Sequence, residues 1–104
     1  MESPEFIDVQ GLRALYVHAT LVWQESQAPK AWADMCRAGL DYRAAAYSEA
    51  LQGFLWAEAQ PAKVEGGTSQ QRALACNGLK AALQSLNKAL DALAAAEELV
   101  QSLG

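Results

Sequence analysis

The chain has few of the residues from which catalytic and metal sites are built. Its 104 residues include one histidine, two cysteines and three prolines. His18 has no histidine partner, and Cys36 and Cys76 lack the paired spacing of a zinc site or a disulfide scaffold. We therefore expect no catalytic residue, no metal and no cofactor, and we expect both cysteines to be small buried hydrophobic residues.

Positive charge and long apolar runs are also scarce. Eight Lys and Arg residues are scattered among twelve Asp and Glu residues, and the net charge is −4. Phosphate binding needs a concentrated basic patch, so direct nucleic-acid binding is not expected. No apolar run approaches the roughly 18 residues of a membrane span. The acidic start MESPEFIDVQ lacks a signal-peptide pattern, which predicts a cytoplasmic protein without a membrane association.

The residues that dominate instead are Ala, Leu and Gln, which predict a single all-α domain over residues 1–104. Ser3-Pro4-Glu5 is typical of a helix start, and this first helix is expected to reach about Gln24, with a break possible near Gly11. Pro29 is suited to begin the second helix, which is expected to end at about Ala59.

Two places in the sequence decide whether the second helix is continuous and where the third helix begins. Gly39 followed by Asp41 could end one helix and begin another, but the apolar face keeps its phase across Gly39, which favours one continuous helix. Residues 60–67 contain Pro and two Gly and are predicted to be a loop. Thr68 and Gln71 then match a capping box that begins the last helix.

The last helix carries a heptad seam, the spacing that keeps one stripe of a helix against a partner helix. Its flank repeats Ala every seven residues. We expect the seam to form the core against the first two helices, and the Ala flank, represented by Ala82 and Ala89, to be where a second chain comes closest. The seam residues are Leu79, Leu83, Leu86, Leu90 and Leu93.

Second apolar faces on the other two helices are candidates for protein contacts. Val17 and Leu21 lie on the polar side of the first helix, where ordinary surface exposure is the alternative. Met35, Tyr42 and Trp56 lie away from the main apolar face of the second helix. Aromatic residues of this kind are enriched at binding hot spots. A central helix buried on both sides within its own subunit is the other interpretation.

The lengths of the helices predict an elongated antiparallel layer. A helix of about 30 residues is roughly 45 Å long, whereas a compact chain of about 100 residues has a radius of gyration of only about 13 Å. Such a layer leaves apolar surface uncovered, which usually marks an interaction site. A twofold-symmetric homodimer, pairing two layers into a helical bundle, is the simplest way to cover it.

An enzyme of the chorismate-mutase type is the main alternative from another functional class. Its site would need several cationic side chains converging on a dicarboxylate. No ordered motif joins the available arginines, so we do not expect an enzyme. These arginines are Arg13, Arg37, Arg43 and Arg72.

Two long stretches carry a resemblance to a known family. The opening MESPEFIDVQGLRALYVHATLVW and the end LKAALQSLNKALDALAAAEELV resemble the quorum-sensing anti-activators of pseudomonads. The resemblance implies a small helical dimer that binds the LasR-like transcription factor at its dimerisation surface and so blocks DNA binding. It transfers no individual residue. A structural adaptor or secretion-type chaperone without a regulatory target is the alternative function.

Overall fold

The protein is described by a computed structural model over residues 8–103, and this part of the chain forms three α-helices. Helix α1 is Val9–Ser26, α2 is Pro29–Lys63 and α3 is Ser69–Gln101. The all-α class and the number of helices predicted from the sequence are confirmed.

Helix α1 begins and ends with local hydrogen bonds. The Asp8 carboxylate accepts a hydrogen bond from the Gly11 backbone N–H at 2.8 Å, which caps the N-terminus. Gln27 adopts the left-handed conformation and its N–H donates to the Trp23 carbonyl, which ends the helix. The helix is unbroken through Gly11. The predicted start at residues 3–5 lies outside the described residues.

Helix α2 is continuous through Gly39, as its apolar phase predicted. The predicted end at Ala59 is wrong, because the helix continues to Lys63 and includes Pro61. A proline so close to the C-terminus removes only the hydrogen bond to the Ala57 carbonyl, and the last turn tolerates that loss. The predicted loop over residues 60–67 therefore shrinks to residues 64–68.

The N-terminus of α3 confirms the predicted capping box. The Thr68 hydroxyl accepts from the Gln71 backbone N–H at 3.1 Å, and the Gln71 side chain accepts from the Thr68 N–H at 2.9 Å. Beside it, the Arg72 guanidinium donates to the carbonyl of Gly67. These bonds satisfy backbone groups that a helix start would otherwise leave to water.

The three helices form an antiparallel layer with α2 in the centre. Helix α1 packs against α2, and α3 packs against α2 along its length. The molecule measures 60 × 36 × 23 Å and its radius of gyration is 18.3 Å, well above the roughly 13 Å of a compact chain of about this size. The predicted elongated layer is confirmed, and the pairing of two layers stays a prediction.

The core of this layer is thin. Small residues dominate the buried positions, and no large side chain is completely buried among residues 8–103. Larger side chains pack between α1 and α2, where the ring centroids of Trp23 and Trp32 lie 5.2 Å apart. The buried positions are Ala31, Cys36, Gly39, Ala57 and Ala96.

Candidate interaction surfaces

A layer one helix thick cannot cover the apolar residues of its own outer faces. Many large apolar side chains of the described chain remain exposed, more than scattered surface exposure accounts for. They occur on all three helices and are the candidate functional sites of the molecule. They are Leu15, Val17, Leu21, Val22, Leu55, Trp56, Leu74, Leu83, Leu90 and Leu99.

On α1, the structure leaves both sequence-predicted contact residues open to solvent. Val17 is 41 % exposed and Leu21 is 54 % exposed. Leu15 and Val22, which the helical period places with the α2-facing residues, are also exposed. The reason is that α1 packs on α2 alone, and one neighbouring helix covers only a narrow stripe. The expected contact through Val17 and Leu21 stays a prediction.

On α2, the residues predicted to form one far side fall into two environments. Tyr42 is half-buried and stacks on Tyr16 of α1, with the ring centroids 6.1 Å apart. Met35 is half-buried in a groove shared with α3. Both residues therefore have contacts within their own subunit, as the alternative interpretation of this face required.

Trp56 differs from these two residues because it is 67 % exposed. Helix α1, with 18 residues, is about half as long as α2, with 35 residues. It packs on the first half of α2, through Trp32, Gly39 and Tyr42. Trp56 lies beyond its reach. Leu74 of α3 lines the same shallow depression as Trp56, so the two side chains form one apolar patch.

On α3, the Ala repeat faces inward together with part of the expected Leu seam, because Leu79, Leu86 and Leu93 are half-buried. Ala82 and Ala89 are half-buried, and Ala96 of the same repeat is buried against α2. The seam is divided, because Leu83 and Leu90 are exposed by 44 % and 47 %. The expectation that the whole Leu seam forms the core is therefore wrong.

The expected burial is confirmed for Cys36 of α2 and is wrong for Cys76 of α3. Cys76 is exposed and lies two turns before Leu83 on the same stripe, whereas Cys36 is buried beneath the α2–α3 contact. Burial raises the pKa of the Cys36 thiol, and the nearby Arg37 cation lowers it by less. Cys36 is thus held as a neutral thiol, which suits a packing role.

The arginines considered for an enzyme site lie in different places. Arg43 lines the groove between the helices, and Arg72 binds the loop before α3. Arg13 and Arg37 are exposed. Within residues 8–103, no three His, Cys, Asp or Glu side chains gather as metal ligands, and no helix has the length and hydropathy to cross a bilayer.

A groove lies over α2 and is lined by residues of all three helices. It has a volume of about 180 Å³ and is lined by Tyr16 of α1, residues 35–43 of α2 and residues 92–99 of α3. Of this lining, the sequence predicts only Met35 as a contact residue, because the groove forms where separate helices come together. Comparison with protein-family models, with curated proteins and with solved structures finds no match to the chain.

Proposed function

We propose that the chain is an anti-activator, a small helical homodimer that binds a LasR-like quorum-sensing transcription factor in the cytoplasm. In this proposal it prevents the factor from dimerising and so from binding DNA. The observation that carries the proposal is the extent of apolar side chain that the three-helix layer leaves uncovered. The resemblance of the two ends of the chain to anti-activators supplies the class of partner.

Competition for an apolar helical surface is enough for this activity. A factor that dimerises through helices must expose an apolar face as a monomer, and a second apolar helical face can cover it. At a free concentration 100 times its dissociation constant, an inhibitor stabilises the bound monomer by roughly 2.7 kcal/mol. Such an inhibitor needs no reaction step.

The patch of Trp56 and Leu74 is the best-formed candidate for the centre of this contact. Trp56 and Leu74 are 67 % and 65 % exposed. Gly53, one turn before Trp56, is exposed with open space around it, so a partner can reach the indole without displacing a side chain. Truncating a tryptophan at an interface centre typically costs about 2 kcal/mol or more of binding free energy.

A DNA-binding assay with the purified factor tests the proposal. We expect the protein to remove the factor from its DNA site in a concentration-dependent way. Trp56→Ala should weaken this inhibition about 30-fold, the equivalent of about 2 kcal/mol. It should leave helix content unchanged, because the indole is largely exposed.

Glu58→Ala is the control, because Glu58 is exposed and lies about 200° around α2 from Trp56. If saturating protein leaves the factor on its DNA, the anti-activator proposal is rejected. A pull-down from the native cytoplasm distinguishes the anti-activator from the alternative function. Recovery of a secreted substrate in place of a DNA-binding regulator would support an adaptor or chaperone.

A further inference from the structure

The groove over α2, lined from all three helices, contains several small residues. Its lining includes Cys36 and Gly39 of α2 and Ala92, Ala95 and Ala96 of α3, together with the larger Met35 and Leu99. An apolar cavity of about 150 Å³ can hold a benzene molecule. The groove, with its volume of about 180 Å³, therefore has room for one large apolar side chain from outside.

One cation stands in this otherwise apolar lining. The Arg43 guanidinium carbon lies 4.9 Å from the centroid of the Tyr42 ring and 5.6 Å from that of Tyr16. These two cation–π contacts hold the guanidinium in one position beside the groove. Tyr16 itself lines the groove, so the stack of two tyrosines and one arginine forms part of its wall.

Among residues 8–103, no acidic side chain forms an ion pair with Arg43. Within residues 8–103 the only ion pair joins Lys30 to Asp34, and Arg43 donates no hydrogen bond there. A guanidinium has five N–H donors in a planar fork that matches a carboxylate. A half-buried arginine with no ion-pair partner among residues 8–103 is therefore the complement of an acidic group that a partner would bring.

We propose that this groove is where an amphipathic helix of the transcription factor docks. The helix places one bulky apolar side chain in the cavity and an Asp or Glu one turn away against Arg43. Side chains three or four positions apart on a helix lie about 5–6 Å from one another, which matches a cation that itself lines the cavity. The docked helix lies as a fourth helix on the layer, as amphipathic helices do in hydrophobic grooves.

This inference rests on the proposed function and adds the recognition site and its chemistry. It predicts that a partner helix is selected by a pair of residues, one apolar and one acidic. The groove lies near Tyr16 and the Trp56 patch lies in the half of α2 that α1 leaves uncovered. The two surfaces can therefore be tested with separate variants.

The test measures the affinity of the fluorescently labelled factor for variants of the full chain. Arg43→Glu should weaken binding at least about tenfold, because it replaces attraction for an acidic group by repulsion. Arg37→Glu carries the same charge change at an exposed position of α2 and should bind like the parent. Ala95→Trp should weaken binding by a similar factor by filling the groove. Ala73→Trp, at another exposed position of α3, is its control.

Each outcome decides the proposal. Loss of binding in both groove variants, with rescue of Arg43→Glu by an acidic-to-basic change in the factor, supports it. Groove variants that bind like their controls overturn it and leave the proposed function intact. If the parent protein does not bind the factor, the proposed function and this inference both fall. If the groove variants instead halve the mass of the protein in light scattering, the occupant is a second copy and the proposal is wrong.

Discussion

At the scale of single residues, Gly39 determines how closely α1 approaches α2. A Cβ atom at this position would lie 3.0 Å from Cε1 and 3.3 Å from Cδ1 of Tyr16. The Tyr16 ring is confined further by its stack on Tyr42 and by the guanidinium of Arg43. Glycine is therefore retained inside a helix, where it costs about 1 kcal/mol relative to alanine.

Gly39→Ala and Gly53→Ala form a matched pair that tests this reading. Gly53 lies in the same helix with nothing within 4 Å of an added Cβ, so alanine there should raise the free energy of unfolding by about 0.5–1 kcal/mol. At Gly39 we expect a net loss of about 1 kcal/mol, because overpacking of the Tyr16 ring outweighs the gain in helix propensity. Urea denaturation at one protein concentration measures both. Equal stabilisation by the two substitutions would show that Tyr16 moves freely.

The sequence does not predict how deeply each aromatic residue of α2 is buried. The sequence predicts Tyr42 as a residue that contacts another protein, whereas in the structure its ring stacks on Tyr16 of the same chain. Because its contact is internal, Tyr42→Ala would disturb the α1–α2 packing, whereas Trp56→Ala would not. The sequence lacks the information that separates them, because the point where α1 stops covering α2 depends on how the two helices align.

At the scale of elements, local hydrogen-bond signals located helices well. The capping box at Thr68 placed the start of α3 correctly, and the phase of apolar residues correctly made α2 continuous. Because of Pro61, the sequence predicts that the loop begins at residue 60, too early by four residues. A proline breaks a helix interior but is tolerated in the last turn of a helix. The cap of α1 at Asp8 was missed, although an Asp before an apolar-periodic segment is a recognisable signal.

The capping box of α3 is expected to matter for the stability of the whole α2–α3 hairpin. Thr68→Ala removes the acceptor for the Gln71 N–H and should lower the free energy of unfolding by about 1 kcal/mol. With a urea m-value of about 1–2 kcal/mol/M, the midpoint should fall by about 0.5–1 M. Thr68→Ser, which keeps the hydroxyl, should unfold close to the parent. A Thr68→Ala midpoint equal to that of the parent would mean that the start of α3 is frayed.

At the scale of the whole molecule, the sequence predicted the layer but not which face of α3 it buries. Leu and Ala occupy neighbouring stripes of this helix, and either could have faced α2. The structure turns Ala96 inward and leaves Leu83 and Leu90 outward. Small residues let two long helices approach closely, so the Ala stripe fits the central helix. Leu83 and Leu90 are then left for a second surface, whereas Leu79, Leu86 and Leu93 are half-buried beside the Ala stripe.

This arrangement makes the stripe of Leu83 and Leu90 the expected contact of the homodimer, with Ala82 and Ala89 at its edge. The two leucines are seven residues apart on one side of α3, the spacing of a seam between helices. Light scattering should give a mass of twice the 11.2 kDa of one chain. Leu90→Lys should shift this mass to that of one chain, because a charge replaces an apolar side chain in the contact.

Gln84→Lys provides the control, since Gln84 is exposed one position after Leu83 and about 100° around the helix. It should keep the dimer mass. Helix content of Leu90→Lys should match that of the parent, because Leu90 is nearly half exposed in the single chain. A parent protein with the mass of one chain at every concentration would contradict the dimer. The exposed leucines of α3 would then have to contact the transcription factor directly, together with Trp56.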